Sequence, residues 1–210
     1  MNNSELKKLI LQYVDPKLLE NSKLHKNILY QSPVSDFLKG FCFEQSGFDK
    51  ESFYLWCFIQ PLYLPSENIV LTFGKRILPQ KTEKWIIEKD NESEIINIFN
   101  DINNKIKNEG LAYIDELDSH EKFYMFCKKN KKTNIRIWES LIYTGLYKGL
   151  ADTDKEAELL INYLQKMDMS INWIREIYDN LKIFLEKNKM ERNELINSWK
   201  EFTIKNLQLS

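Results

Sequence analysis

The distribution of proline constrains the fold of this chain more than any other feature of its sequence. The 210 residues contain five prolines, all within the first 79 positions: Pro16, Pro33, Pro61, Pro65 and Pro79. Proline lacks the backbone N–H that a helix interior or a central strand requires, so long helices exclude it. We therefore expect strands, turns and short helices before Pro79 and uninterrupted helices after it.

Strands are predicted in the aromatic-rich part before Pro79. Four segments carry a strand pattern: residues 24–30, 37–43, 52–60 and 68–73. In 52–60 both alternating sets of side chains are apolar, which predicts a central strand covered on both faces. Gly40 indicates a bulge or a close approach within its strand, and Gly47 marks a hairpin loop. The short spacings fit an antiparallel meander.

Helical periodicity is predicted in the remaining segments. Ser4 can cap a first helix, which ends at Asp15 because the residue before proline avoids helical backbone. After Pro79 an apolar stripe recurs every three or four residues until Gly110 ends it: Ile95, Phe99, Ile102 and Ile106. Further helices are expected at 111–129, 135–150, 171–187 and 191–207. Ser170 is the predicted cap of the helix at 171–187. One more helix is expected to begin after a cap at Asp152 or Thr153.

These patterns together predict an α+β protein. An antiparallel sheet in the N-terminal half packs with a mostly helical C-terminal half. We assign an N-terminal helix and a β-meander to residues 1–80 and a helical region to residues 81–210. The two regions are expected to pack as one unit, because no low-complexity linker separates them.

Charge argues against a nucleic-acid partner. Thirty basic and 31 acidic side chains give a formal net charge of −1, without the basic excess typical of nucleic-acid-binding domains. Lysine outnumbers arginine 26 to 4, whereas base and phosphate recognition favours arginine. One short basic run beside aromatic residues keeps nucleic acid as a third hypothesis: Lys128, Lys129, Lys131 and Lys132. Its simpler interpretation is a helix that ends in a cationic turn.

The cysteines and the apolar segments bear on the cellular compartment. No run of 18 apolar residues predicts a membrane-spanning helix, and the first residues lack the pattern of a cleaved leader. Cys42, Cys57 and Cys127 fit neither a disulfide framework nor a zinc site in number or spacing. We expect a cytoplasmic protein with reduced thiols, no membrane partner, no metal and no cofactor.

Recognisable catalytic signatures are missing from the sequence. It contains no Gly-rich phosphate loop, no HExxH, no CxxC and no G-x-S-x-G motif. Its two histidines are His25 and His120. A helix would place Glu116 and His120 on one face as a candidate metal pair, although a solvated acidic face is the simpler interpretation. A binding protein is therefore favoured over an enzyme.

Aromatic side chains give the densest signal in the sequence. Ten of them lie between Phe37 and Phe73. Side chains of this size on both faces of a sheet need cover on both sides, or else one face is a binding surface. Cover by the helical half is the favoured alternative, because that half supplies several apolar stripes.

A motif in this region carries a resemblance. The segment FYLWCFIQPLYLP at 53–65, followed by FGKR at 73–76, resembles uncharacterised small bacterial proteins with an FYxWxFxQPLYxP segment and then FGxR. More loosely, the chain is similar to bacterial immunity proteins, which are α+β domains that bind and block a toxin. The resemblance implies a protein partner and brings no catalytic role with it.

We therefore expect a non-enzymatic bacterial protein-binding module of the immunity or antitoxin type, with a toxin as its protein partner. The candidate binding residues are Trp56, Tyr63, Lys75 and Arg76. The alternative is an enzyme or binding protein for a small anionic ligand, built on Arg76 with Lys75, Tyr63 and His120.

Overall fold

The computed structural model describes residues 2–49, 51–88, 91–150 and 153–209, and the chain divides into two compact units. The first, the sheet unit, consists of Met1–Gln60, Ile69–Asp118 and Gln208–Ser210. The second, the helical unit, consists of Pro61–Asn68 and Ser119–Leu207. An antiparallel sheet in the N-terminal half and helices mostly in the C-terminal half confirm the predicted α+β class. The two compact units do not divide at residue 80, where the predicted regions 1–80 and 81–210 meet. That these two regions pack as one unit stays a prediction.

The sheet unit begins with helix α1 (Asn3–Tyr13), which Asn2 caps. The Asn2 side chain accepts a hydrogen bond from Glu5 N (2.9 Å), and Glu5 Oε2 accepts one from Asn2 N (2.7 Å). This reciprocal pair satisfies two backbone donors at once, so the predicted Ser4 cap is wrong. The helix ends before Pro16, as predicted, and a 3-10 turn follows at Pro16–Leu18.

Six strands form the sheet in the described residues: β1 (Ser22–His25), β2 (Ile28–Gln31), β3 (Phe37–Gln45), β4 (Ser52–Pro61), β5 (Gly74–Ile77) and β6 (Trp85–Ile86). Their order is β1-β2-β3-β4-β5, and β6 also pairs with β4. The order matches the chain order from β1 to β5, which agrees with the predicted meander.

Two of the predicted strands require correction. The segment 24–30 forms parts of two strands, because the chain turns at Lys26, whose φ is 53°. The segment 68–73 is not a strand. Val70 N donates to Gln60 Oε1 (2.9 Å) instead of to a ladder, and a 3-10 turn at Leu71–Phe73 leads into β5. Strands β5 and β6 were both missed, because such short strands give little alternation to detect, and β6 lies within the region 81–210 that was predicted to be helical.

Strand β4 is central, as its apolar alternation predicts. It pairs with β3, β5 and β6, and most of its side chains are buried. Gly40 on β3 marks a close approach of backbones, as predicted. A Cβ at this position would collide with the carbonyl oxygen of Leu29 on β2.

The apolar stripe after Pro79 forms helix α2 (Glu92–Lys105), as predicted. Gly110 does not end this helix. A π-helical turn at Ile106–Gly110 continues it into α3 (Leu111–Asp115). A Cβ at Gly110 would lie 2.5 Å from Cε1 of Phe41, so glycine allows the helix to pack directly on β3. The helices therefore cover the sheet face that carries Phe41.

The helical unit contains five helices in the described residues: α4 (His120–Asn130), α5 (Ile135–Lys148), α6 (Thr153–Leu164), α7 (Asn172–Glu186) and α8 (Lys189–Leu207). The predicted helix 111–129 is divided, because Ser119 caps α4 through a hydrogen bond from Lys122 N (3.2 Å). The Ser170 cap is wrong, since Ile171 occupies the cap position of α7. Asp152 lies outside the described residues.

Helix α5 is buried on most sides within this unit. Eight of its residues are buried, including the polar Glu139, Ser140 and Thr144. Gly149 ends the helix with a left-handed φ of 66°, which costs glycine little. Across the described ranges, no helix is both long and apolar enough to cross a membrane.

Candidate functional site

Strands β4 and β5 align two of the predicted site residues. Trp56 lies directly opposite Arg76 in the antiparallel register, and Cys57 lies opposite Lys75. Opposed residues share a face and neighbouring ones alternate, so Trp56 and Arg76 project together while Lys75 belongs to the other face.

The Arg76 guanidinium rests on two aromatic rings of β4. Its Cζ lies 4.2 Å from the ring centroid of Tyr54 and 4.9 Å from that of Trp56. Both distances are well inside the range of cation–π attraction, which contributes about 0.5–1 kcal/mol at exposed sites. Arg76 is exposed, whereas Tyr54 and Trp56 are half-buried. The stack therefore holds an exposed cation in a defined orientation.

Strand β3 adds a carboxylate to this arrangement. The indole Nε1 of Trp56 donates to Glu44 Oε2 at 2.9 Å, which fixes the plane of the indole ring. Cys42 and Glu44 share this face by alternation, and Ile28 on β2 lies opposite Cys42. We call this surface the Arg76 face. Its members are Ile28, Cys42, Glu44, Tyr54, Trp56 and Arg76.

An open pocket of about 540 Å³ lies at one side of the Arg76 face. Ile28, Cys42 and Glu44 contribute to it from the strands, and Ile69 and Leu71 contribute from the segment that precedes β5. Its lining combines apolar and polar atoms. Its apolar part can contact an apolar side chain, and Glu44 links the pocket to the Trp56 indole.

The Cys42 thiol of this face is held in its protonated form. Burial, together with the nearby Glu44 carboxylate, raises the pKa of the Cys42 thiol to about 12. A thiol with such a pKa is protonated at neutral pH and is a poor nucleophile. The face therefore presents a fixed cation, an indole–carboxylate pair and apolar surface.

The other predicted site residues lie elsewhere. Tyr63 is fully buried in the helical unit, where its hydroxyl is 2.8 Å from Thr144 Oγ1. His120 stacks on Tyr63 with 5.9 Å between the ring centroids and packs edge-on against Tyr147. Tyr63 and His120 thus belong to an aromatic cluster of one unit, while Lys75 and Arg76 belong to the other unit.

The proposed metal pair does not share a helix. Helix α3 ends at Asp115 and α4 begins at His120, so Glu116 and His120 are not on one helical face. Within the described ranges, no group of three or more His, Cys, Asp or Glu side chains is arranged to hold a metal ion.

The basic run lies at the C-terminal end of α4. Lys128 and Lys129 occupy its last turn, where cations complement the helix dipole. Lys131 pairs with Glu156 at 2.6 Å, and the same carboxylate accepts a hydrogen bond from the indole of Trp138. This arrangement favours the interpretation of a helix that ends in a cationic turn.

Sequence reasoning missed four members of the Arg76 face: Ile28, Cys42, Glu44 and Tyr54. Tyr54 was detectable in principle, because it lies two residues before Trp56 and alternation puts both on one side. Glu44 was not detectable, since its contact with Trp56 depends on the pairing of β3 with β4.

Comparisons with protein-family models, with curated proteins and with solved structures return no match for this chain.

Proposed function

We propose that this chain is a non-enzymatic protein-binding module of the type to which bacterial immunity proteins belong, and that the Arg76 face docks its protein partner. One observation carries the proposal. An exposed arginine is stacked on a tyrosine and a tryptophan on one sheet face, 4.2 and 4.9 Å from their ring centroids.

The residue types of this face support a docking role. Trp, Tyr and Arg are the residues most enriched among the hot spots of protein interfaces, where a few side chains carry most of the affinity. Tyr54 and Trp56 are already held by Arg76 and by Glu44, so docking would cost little side-chain entropy. The pocket beside Cys42 supplies the concavity that an anchor residue of a partner needs.

A capture experiment tests this proposal. The tagged chain and its Trp56→Ala variant are incubated with lysate of the cells that produce the protein. Trp173→Ala is the matched control, because Trp173 is a 41% exposed tryptophan of the helical unit. We expect wild type and Trp173→Ala to retain one partner, and Trp56→Ala to lose it.

Affinity measured with the purified partner makes the test quantitative. Removal of a hot-spot side chain costs at least about 2 kcal/mol, so the Kd of Trp56→Ala should rise about 30-fold. Thermal melts check that each variant is folded. Equal affinity for all three proteins, or the absence of any partner, would contradict the proposal.

A second candidate function is the binding of a small anion, and a cavity in the helical unit favours it. The cavity has a volume of about 480 Å³, and its lining includes Lys155, Lys189 and Arg192. Arg192 is fixed there by bonds from Nε to Phe184 O (3.0 Å) and from Nη2 to Leu185 O (3.1 Å). Asp154 offsets part of this positive charge, with Oδ1 3.4 Å from Arg192 Nη1.

Inorganic phosphate tests this second function. Phosphate that binds only the native state should raise the melting temperature of the wild type. The double variant Lys155→Ala/Lys189→Ala should lose that increase, and Lys166→Ala/Lys205→Ala, which removes two exposed lysines of the same unit, should keep it. An identical response of the two double variants would exclude this cavity as the anion site.

A further inference from the structure

The guanidinium of Arg76 has unused hydrogen-bonding capacity. Its flat face lies on the rings of Tyr54 and Trp56, which leaves the N–H groups in the plane of the guanidinium available. No hydrogen bond or ion pair joins the Arg76 side chain to another residue in the described ranges. Arginine presents these donors in a rigid fork that matches the two oxygens of a carboxylate.

Arg76 and the pocket are close enough to be bridged by a short extended segment. The guanidinium lies over rings of β4, and the pocket is bordered by Cys42 on β3 and Ile28 on β2. Adjacent strands are about 4.8 Å apart, so β3 and β2, which border the pocket, lie about 5 Å and about 10 Å from β4, on whose rings the guanidinium rests. In an extended peptide, residues i and i+2 project to the same side and are separated by about 6.6 Å.

We propose, on the basis of the docking role above, that the Arg76 face recognises an extended segment of a partner protein with a large apolar residue and an acidic residue two positions apart. The acidic side chain forms a bidentate pair with Arg76, and the apolar side chain enters the pocket lined by Ile28 and Cys42. Charge complementarity selects a carboxylate at Arg76, because this part of the face presents an exposed cation, whereas the Glu44 carboxylate already accepts a hydrogen bond from the Trp56 indole.

Glu44 adds a further requirement to this geometry. Its carboxylate accepts a hydrogen bond from the Trp56 indole, and Glu44 also lines the pocket. A carboxylate there repels the acidic residue of the segment, so Glu44 lowers affinity for the segment while it orders the ring. Glutamine at this position keeps an oxygen for the indole N–H and removes the charge.

Selection from a displayed library of random dodecapeptides on the immobilised full chain tests the inference. We expect the enriched peptides to share an acidic residue two positions from a large apolar one. Arg76→Gln should weaken these peptides at least about tenfold, because a charge-assisted pair is lost. Glu44→Gln should strengthen them about two- to threefold, and this gain cannot arise from a misfolded protein.

Several outcomes would overturn the inference. The library could enrich peptides that lack an acidic residue, or it could enrich no peptide at all. The enriched peptides could also bind wild type and Arg76→Gln equally well. A captured partner that is lost in Trp56→Ala but bound normally by Arg76→Gln would leave the docking role intact and refute the carboxylate. A second copy of this chain on the face would give a dimer in light scattering that Trp56→Ala dissociates, and would also refute the inference.

Discussion

Two tyrosines of the helical unit are a matched pair for measuring the contribution of a buried hydroxyl. Tyr63 and Tyr143 are both fully buried. The Tyr63 hydroxyl is 2.8 Å from Thr144 Oγ1, whereas the Tyr143 hydroxyl has no hydrogen-bond partner in the described ranges. Phenylalanine at either position keeps the ring and removes the oxygen alone.

The environment of Tyr143 predicts the sign of the effect. Its ring packs edge-on against Phe184 and Trp199, with centroids 5.1 and 5.2 Å away. A buried hydroxyl without a partner carries a desolvation cost of about 1–3 kcal/mol. Tyr143→Phe should therefore increase the free energy of unfolding by about 1–2 kcal/mol.

Tyr63→Phe should have the opposite effect. Thr144 Oγ1 donates to the backbone carbonyl of Ser140 (2.6 Å), so Tyr63 is the donor in its pair with Thr144. Its removal takes away one hydrogen bond and leaves the Thr144 donor satisfied. The expected loss is about 0.5–1 kcal/mol.

Thermal and urea unfolding of the two variants and the wild type provide the assay. For a chain of this length, 1 kcal/mol corresponds to about 2–4 °C in Tm. Tyr143→Phe should melt above the wild type and Tyr63→Phe below it. A Tyr143→Phe protein that melts lower than the wild type would refute the reasoning, because its hydroxyl would then have a stabilising partner in solution.

Three further predictions follow from the packing and the pKa directions. Burial raises the pKa of Glu139, so the native state holds that proton more tightly than the unfolded chain does, and the free energy of unfolding should fall as pH rises above the ordinary value of 4.5. Glu139→Gln should reduce this fall, measured as urea midpoints between pH 4 and 8. Parallel curves for the variant and the wild type would contradict the prediction. Gly40→Ala should lower the free energy of unfolding in urea by about 2–3 kcal/mol, because the added Cβ collides with Leu29 O. Gly47→Ala should change it by less than about 0.5 kcal/mol, because no atom lies within 4 Å of the added Cβ. Equal effects of the two substitutions would refute the close approach at Gly40. Burial raises the pKa of the Cys42 thiol to about 12 and that of Cys57 to about 11, and it also raises the pKa of Cys127. Ellman's reagent at pH 8 should therefore react slowly with the native chain and rapidly with all three thiols in urea. A fast phase of one full equivalent in the native protein would contradict this prediction.

Much of the fold follows from the sequence by itself, because the signals are local. Proline placement predicted the change from strands to long helices, since the missing N–H acts on its own neighbours. The stripe of α2 and the two-sided apolar alternation of β4 are also properties of a short segment. The same locality explains the failures at Gly110 and at 68–73. Contact with Phe41 decides the first, and a bond to the Gln60 side chain decides the second.

The candidate site was predictable only in part. Trp56 and Arg76 were named from an aromatic run and a rare arginine, but their direct opposition depends on the β4–β5 register. Lys75 and Tyr63 came from the same segment and lie apart from this face, because alternation sends one to the opposite side and the fold buries the other. Residue type and period are encoded locally, whereas register, the Glu44–Trp56 bond and the pocket require strands distant in sequence to pair. Only the tertiary structure therefore brings Arg76, Trp56 and Glu44 to one face.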